Sequence, residues 1–323
     1  MTVTSPIERP SRAGVRDGTT TPRLTRMLGR DWRVAWLFLL PLIAVLLGLI
    51  AYPFVGAIIL SLQHKVVGGP ATWVGLGNYR DLLFGEQYSG VFRRSVWVSA
   101  VYTGASVAIK LVLGMALALL LNERFRGRMF MRAILFLPWA MPTLITALTW
   151  RWIYDGSPNG FFNIVRIQYF GAQTLVQFLA DPKLALPSVI AVVIWQGTPF
   201  YAMMFLAGMQ AIPGEQYEAA LLDGANVFQR FANVTLPNLR PAIIITTLLS
   251  TIWTANSLNF VFILTRGGPA GATMTFPMLS YEIGIDGARQ LGTAAAVAVL
   301  FFPVFIVAIF LLTKRMLSQQ ERA

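Results

Sequence analysis

Two groups of residues in this 323-residue chain have the types and spacing to do chemistry, and in both the chemistry is recognition rather than bond breaking. The first consists of polar and aromatic side chains set into apolar runs: Gln196, Gly197 and Tyr201 in one run, and Trp253, Asn256, Ser257 and Asn259 in another. Amides and hydroxyls hydrogen-bond a polar solute while rings stack on it, although Asn and Ser in such runs also serve as glue between membrane helices. The second is the segment from Ala211 to Arg240, AIPGEQYEAALLDGANVFQRFANVTLPNLR. Here Pro213 can start a helix, Tyr217, Leu221, Phe228 and Phe231 recur near helical spacing, Gly224 suits a turn and Pro237 stops the pattern. Two short helices joined at a glycine are expected, and such an elbow either lies on a membrane surface or docks on a partner.

Other chemistries are missing their residues. The chain has no cysteine, which excludes disulfides, thiolate metal sites and cysteine nucleophiles. The single histidine, His64, stands alone at the edge of an apolar run and is given no role. No Gly-Lys-Ser or Gly-Lys-Thr phosphate loop is present to grip a nucleotide. No acid, base or metal-ligand cluster gathers at one place, so no catalytic residue and no metal site is expected, and a membrane enzyme is disfavoured.

The elements that must position these groups follow from composition. With 56% apolar and 12% charged residues, the chain is far more apolar than a soluble domain. Six nearly uncharged runs reach the length needed to cross a bilayer as helix: Val34 to Leu62, Ser95 to Leu121, Met131 to Trp152, Ala185 to Gly208, Pro241 to Leu264 and Leu291 to Thr313. None alternates with period two as a membrane barrel requires, and only helices then satisfy the backbone in lipid. The expected fold class is therefore all-α and integral to the membrane, with six transmembrane helices and a two-helix cytoplasmic loop between the fourth and fifth. Prolines 138 and 142 in the third run and Pro199 in the fourth each remove a backbone donor, so both runs are expected to be broken.

The net charge of +12 reflects topology rather than nucleic-acid binding, because the basic residues flank the runs. Sixteen of the 26 Lys and Arg fall on one side of the membrane, which sets both termini in the cytoplasm. Residues 1–33 read as a disordered basic tail, 34–315 as the membrane domain with the loop at 211–240, and 316–323 as a second cytoplasmic tail. The loop holding Trp73, Gly75, Leu76, Gly77, Asn78 and Tyr79 is expected on the opposite side and ordered. Two charges remain in or beside spans: Arg151 can snorkel to headgroups, and Lys110 can do the same or pair with a neighbouring subunit.

Glu218, Ala219 and Ala220, then three residues, Gly224, nine residues, the aliphatic Val234, one residue, and Leu236–Pro237 resemble the EAA motif of bacterial ATP-binding-cassette import permeases. The resemblance runs from about Trp36 to Arg315 and points to the maltose-type sugar permeases. It is carried also by WVGLGNYRDLL at Trp73 to Leu83, RGRMFMRAILFLPWAMP at Arg126 to Pro142, WQGTPFYAMM at Trp195 to Met204 and LTRGGPAGATMTFPMLSYE at Leu264 to Glu282. The long insertion that some of these permeases carry after their second span is absent.

The resemblance implies a cytoplasmic membrane of a bacterium or archaeon and a first elbow helix that docks in the cleft of a separate ATPase. Glu218, Ala219, Ala220, Asp223, Gly224, Leu236 and Pro237 are then the coupling residues. It further implies two ATPase copies, a second permease completing a heterodimeric pore, and an extracytoplasmic solute-binding protein. No cofactor is bound by this chain, since ATP and Mg belong to the ATPase. The cargo is expected to be a sugar or sugar-like solute held in spans four and five; the family favours asparagine where Asn256 stands, although that stretch matches its substrate-contacting segment only loosely. The rival reading is an ion-coupled secondary carrier, which commonly places coupling acids within its spans; the six runs contain none.

Overall fold

The computed structural model describes residues 32–320. The chain is divided into two units, Met1–Gly56 and Ala57–Ala323. Within the first, α1 (Trp32–Leu46) is followed by a π turn at Leu47–Ala51, and α2 (Tyr52–Ser61) carries the helix into the second unit. The stretch Trp36–Ser61 is long and apolar enough to cross a bilayer, and it presents Leu37 and Phe38 outward at 69% and 78% exposure, as a lipid-facing helix does. The tail expected over 1–33 lies outside the described residues except for Trp32 and Arg33, which already belong to α1.

The second unit opens with a short hairpin, β1 (Gln63–Lys65) antiparallel to β2 (Ala71–Trp73), in which His64 pairs with Thr72. This corrects the all-α expectation in one detail: the Gly68-Gly69-Pro70 turn folds the chain back on itself before helix can propagate. The loop then enters α3 (Gly77–Phe84), whose Asn78 is 5% exposed. Its amide donates to the carbonyls of Ser61 at 2.8 Å and Gln63 at 2.9 Å, and its carbonyl oxygen accepts from Thr293 Oγ1 at 3.2 Å. One buried amide thus ties the end of α2, the hairpin and the last helix together.

Two long helices form the frame: α4 (Ser89–Asn122) and α8 (Ala185–Gln210), which pack along each other. Between them in sequence come α5 (Arg128–Ala140) and α6 (Thr143–Ile153), which meet at 92° across Met141 and Pro142, and then α7 (Phe161–Phe170). The expected third span is therefore a bent pair. The break falls at Pro142, not Pro138, which α5 accommodates in its interior. The expected break in the fourth run does not occur: α8 continues through Pro199, held by the burial of residues on both sides of it, Val192 and Val193 before and Ala202 and Phe205 after.

After α8 come α9 (Gly214–Leu222) and α10 (Val227–Arg230), a π turn at Phe231–Thr235, and α11 (Leu236–Ala255). The chain breaks at Asn256–Leu258 and resumes as α12 (Asn259–Leu264), so the fifth run starts earlier than Pro241 and is broken at a place that no proline marks. Pro237 does not stop helix here. In the π turn the Leu236 N–H reaches back to the Phe231 carbonyl, and the wider turn shifts the register so that a residue without an N–H is tolerated at once. Last come α13 (Phe276–Tyr281) and α14 (Leu291–Gln320). The final helix runs through Lys314 into the segment expected as a tail from 316, in keeping with the good helix formers Lys314, Arg315, Met316 and Leu317.

Among the described residues, three helices are long and apolar enough to cross a membrane, or four if α5 and α6 count as one span. Three apolar clusters stabilise the second unit: one around Tyr102, Val189 and Val261, one around Leu82, Phe276 and Val297, and one around Leu121, Phe205 and Leu239. The first cluster joins α4, α8 and the short helices, so the breaks are held from behind by packed core.

Candidate functional site

The two broken runs share a level. Short helices α6 and α12 pack on each other, and their starting residues, Thr143 and Asn259, line one cavity of about 320 Å³. That volume lies at the lower end of the roughly 300–1,000 Å³ usual for small-molecule sites. A second, larger cavity opens at the other end of the same two helices, where Leu148, Arg151, Ile263 and Leu264 line it. The pair of half-helices stands between two hollows.

One wall of the smaller cavity is aromatic. Trp139 stacks on Phe200 with ring centres 6.1 Å apart and planes 14° from parallel, and Phe200 meets Trp253 at 5.2 Å. Polar groups line it too, among them Gln196, Ser250, Ser257 and Asn259. Gln196 also donates to the Met141 carbonyl at 3.2 Å, which satisfies an acceptor freed by the break between α5 and α6. Rings for stacking beside amides and hydroxyls for hydrogen bonding suit a polyhydroxylated solute.

Of the residues singled out in the sequence, Gln196, Gly197, Trp253, Ser257 and Asn259 line this cavity. Tyr201 and Asn256 do not. Tyr201 is fully buried between α4 and α8, because its place one turn after Gly197 turns it toward α4. Asn256 ends α11 and bonds back to the Ile252 carbonyl at 2.9 Å, spending its amide on the helix terminus at the break.

Sequence reading missed Trp139, Phe200 and Thr254, and it left Lys110 without an account. Lys110 is 2% exposed, so it does not snorkel, and its ammonium donates to Thr254 Oγ1 at 2.8 Å. Its position depends on a reciprocal fit. Gly197 lacks the Cβ that would come within 2.7 Å of Lys110 Cδ, and four residues on, Gly114 lacks the Cβ that would overlap that of Tyr201. Each helix offers one glycine to the other's large side chain. The signal in the sequence was a charged residue within an apolar run.

Helix α11, 20 residues and about 30 Å long, runs from this cavity, which its far end lines, to a second feature at its start. Helix α9 carries Glu218, Ala219 and Ala220 and ends at Asp223, whose N–H bonds the Ala219 carbonyl at 3.0 Å. Gly224 turns the chain at φ +76°, a conformation costly for other residues. Asn226 then opens α10 with a capping box shared with Gln229. Leu222, Val227 and Phe228 stand 90%, 67% and 85% exposed, while Glu218, Ala219, Asp223 and Gly224 are also exposed. Two bonds tie this elbow to the root of α11: Tyr217 Oη with Thr235 Oγ1 at 3.0 Å, and Asn238 Nδ2 to Gln216 Oε1 at 2.8 Å. Leu236 and Pro237 begin α11 beside them.

Residues 110–317 match the family described as binding-protein-dependent transport system inner membrane component. The trehalose/maltose transport system permease protein MalF of Thermococcus litoralis is 37% identical over 269 residues, covering 83% of this chain and 89% of that protein. The sulfoquinovosyl glycerol transport system permease protein SmoG of Agrobacterium fabrum is 33% identical over 297 residues, covering 91% and 94%. The fold is shared with a chain of a bacterial ABC transporter involved in the import of the acidic polysaccharide alginate, with a TM-score of 0.75 at 23% identity over 91% of this chain and 98% of that one. An ion-coupled carrier finds no support among them. The matched segment contains the cavity, the elbow and the helix between them, and the chain belongs to the family of binding-protein-dependent transport system inner membrane components.

Proposed function

We propose that this chain is one of two permease subunits that together form the path of an ATP-driven importer for a sugar or sugar-like solute. It crosses the cytoplasmic membrane of a bacterium or archaeon six times, with both termini and the elbow in the cytoplasm; the basic residues flanking the apolar runs support this orientation. The chain itself is a transporter subunit, and ATP hydrolysis belongs to a separate subunit, of which two copies work under the pore. A second permease, different in sequence, completes the path, and an extracytoplasmic binding protein delivers the solute.

The observation that carries this reading is a physical connection. Helix α11 begins at the tethered elbow and ends at the wall of the aromatic and polar cavity. Closure of an ATPase pair on the elbow residues Glu218, Ala219, Asp223 and Gly224, which are exposed, and the half-buried Ala220 is transmitted along α11 as rigid-body movement. The same helix carries Trp253 and Thr254 at its far end, so movement of the elbow changes the cavity. The sugar assignment is supported by the ring-and-amide lining and by the sugars that the relatives are named for.

Co-purification from the native membrane in mild detergent, read by mass spectrometry, tests the assembly. A stoichiometric ATPase and a second multi-span permease are expected. Recovery of the chain alone, with solute uptake persisting after ATP depletion, sinks the importer reading.

A further inference from the structure

The cavity at the breaks contains a cation and no acid. Among the described residues lining it, Lys110 is the one charged side chain. A buried ammonium has three donors, and Thr254 accepts one of them. The Tyr201 ring also lies 6.0 Å from the ammonium, but a neutral hydroxyl and a ring at that distance do not carry an opposite charge, and buried charges are otherwise found paired. The site is also built to hold that charge, since the missing Cβ of Gly197 makes the room in which the Lys110 stem lies.

Two further features share the sign. The 11-residue helix α6 opens at the same cavity with its N-terminal end, where backbone donors leave partial positive charge. The larger cavity beyond α6 and α12 carries Arg151 and Arg266 against one carboxylate, Asp155.

We propose that Lys110 makes the translocation path electropositive at the breaks and selects a cargo bearing a negative charge, a saccharide with a carboxylate, sulfonate or phosphate group. The sugar moiety stacks on Trp139, Phe200 and Trp253 while the anionic group meets the ammonium and completes its coordination. A neutral sugar leaves the charge uncompensated, and a cationic one is repelled. This rests on the importer reading for its claim that cargo traverses the cavity.

The absence of cysteine allows a test that needs no knowledge of the cargo. Ser257→Cys sets a thiol in the cavity lining. In vesicles holding the whole importer, its reaction rate is measured with an anionic methanethiosulfonate (ethylsulfonate) and a cationic one (ethyltrimethylammonium). The importer without the introduced cysteine gives the background, and both rates are normalised to a free thiol in solution. A normalised preference for the anionic reagent is expected, falling about tenfold or more in Lys110→Met, as expected for removing one charge a few ångströms away in a partly desolvated site. A normalised ratio near one with Lys110 in place overturns the proposal without any variant of Lys110. So does a preference that Lys110→Met leaves unchanged, since the attraction then comes from another cation; an acid supplied by the second permease falls under the ratio near one. So too does a thiol that neither reagent reaches. ATP hydrolysis stimulated by the binding protein is read in the same vesicles: its loss in the unsubstituted importer counts against the importer reading, while a flat reagent ratio with hydrolysis intact counts against Lys110 alone.

Discussion

Two connecting segments of this chain, the hairpin-and-helix loop from Gln63 to Phe84 and the elbow from Gly214 to Arg230, have comparable length and opposite character. The loop is anchored inward by Asn78 and Leu82, buried at 5% and 0% exposure, with Asn78 bonded to three other segments, although Trp73, Leu76 and Phe84 stay out at 65%, 70% and 80%. No residue of α9 or α10 is buried, and the elbow holds Leu222 and Phe228 out at 90% and 85% exposure while spending its hydrogen bonds on its root. A segment that satisfies itself is structural. The elbow, with no buried residue of its own, is the segment that the proposed function reads as a docking face.

Four substitutions probe that contrast. Glu218→Lys reverses a charge on the exposed elbow, and we expect it to weaken the docked complex by about 2–5 kcal/mol and abolish ATP-dependent uptake, with membrane insertion unchanged. Pull-down of the ATPase with the tagged variant checks it, and normal recovery with normal uptake removes the docking role. Asn78→Leu removes the donor to the Ser61 and Gln63 carbonyls, while the Thr293 hydroxyl keeps Gln290, costing on the order of 2–3 kcal/mol in the stability of the isolated chain. Its unfolding midpoint in detergent should fall while ATPase capture by the folded fraction persists; an unchanged midpoint would blur the contrast.

Gly224→Ala places a Cβ at φ +76° and should cost about 1–2 kcal/mol, felt as weaker ATPase capture because only the angle between α9 and α10 changes. If instead overall stability falls and capture is normal, the elbow belongs with the structural loop. Thr235→Val removes the Tyr217 partner at the root, about 1 kcal/mol. Here the expected signature is subtler: ATP hydrolysis continues while uptake per ATP drops, because the tether rather than the docking face has been loosened. Equal losses in both would place Thr235 in stability alone.

The parts legible in the sequence are those with local causes. Uncharged runs gave helices, Pro142 gave a break, and Gly224 gave the turn between α9 and α10. Breaks set by tertiary context were not legible. Asn256, Ser257 and Leu258 are compatible with helix, and α11 ends there because the chain is drawn across to pack α12 on α6. Pro199 signals a break that packing overrides. The cavity was half legible: Gln196, Trp253, Ser257 and Asn259 stood out as polar or aromatic groups in apolar runs, and Phe200, one turn after Gln196 on α8, could have been found by helical spacing, but Lys110 and Trp139 reach it from separate elements that no spacing along one helix brings together. Tyr201 was misread because its face of α8 is set by Gly114 on a helix far away in sequence.

The reciprocal fit of Lys110 over Gly197 and Tyr201 over Gly114 acts as a two-tooth key between α4 and α8. Turning either helix by one residue, about 100°, or sliding it by one turn, about 5.4 Å, would drive a side chain into the other's backbone. The long helices are therefore interlocked and act as a fixed stator. On the proposed function, opening and closing then fall to pieces outside that key, the half-helices α6 and α12 and the helix α11 that reaches them from the elbow, so the expected motion is that of a hinged shutter in a rigid jamb rather than of a barrel that breathes.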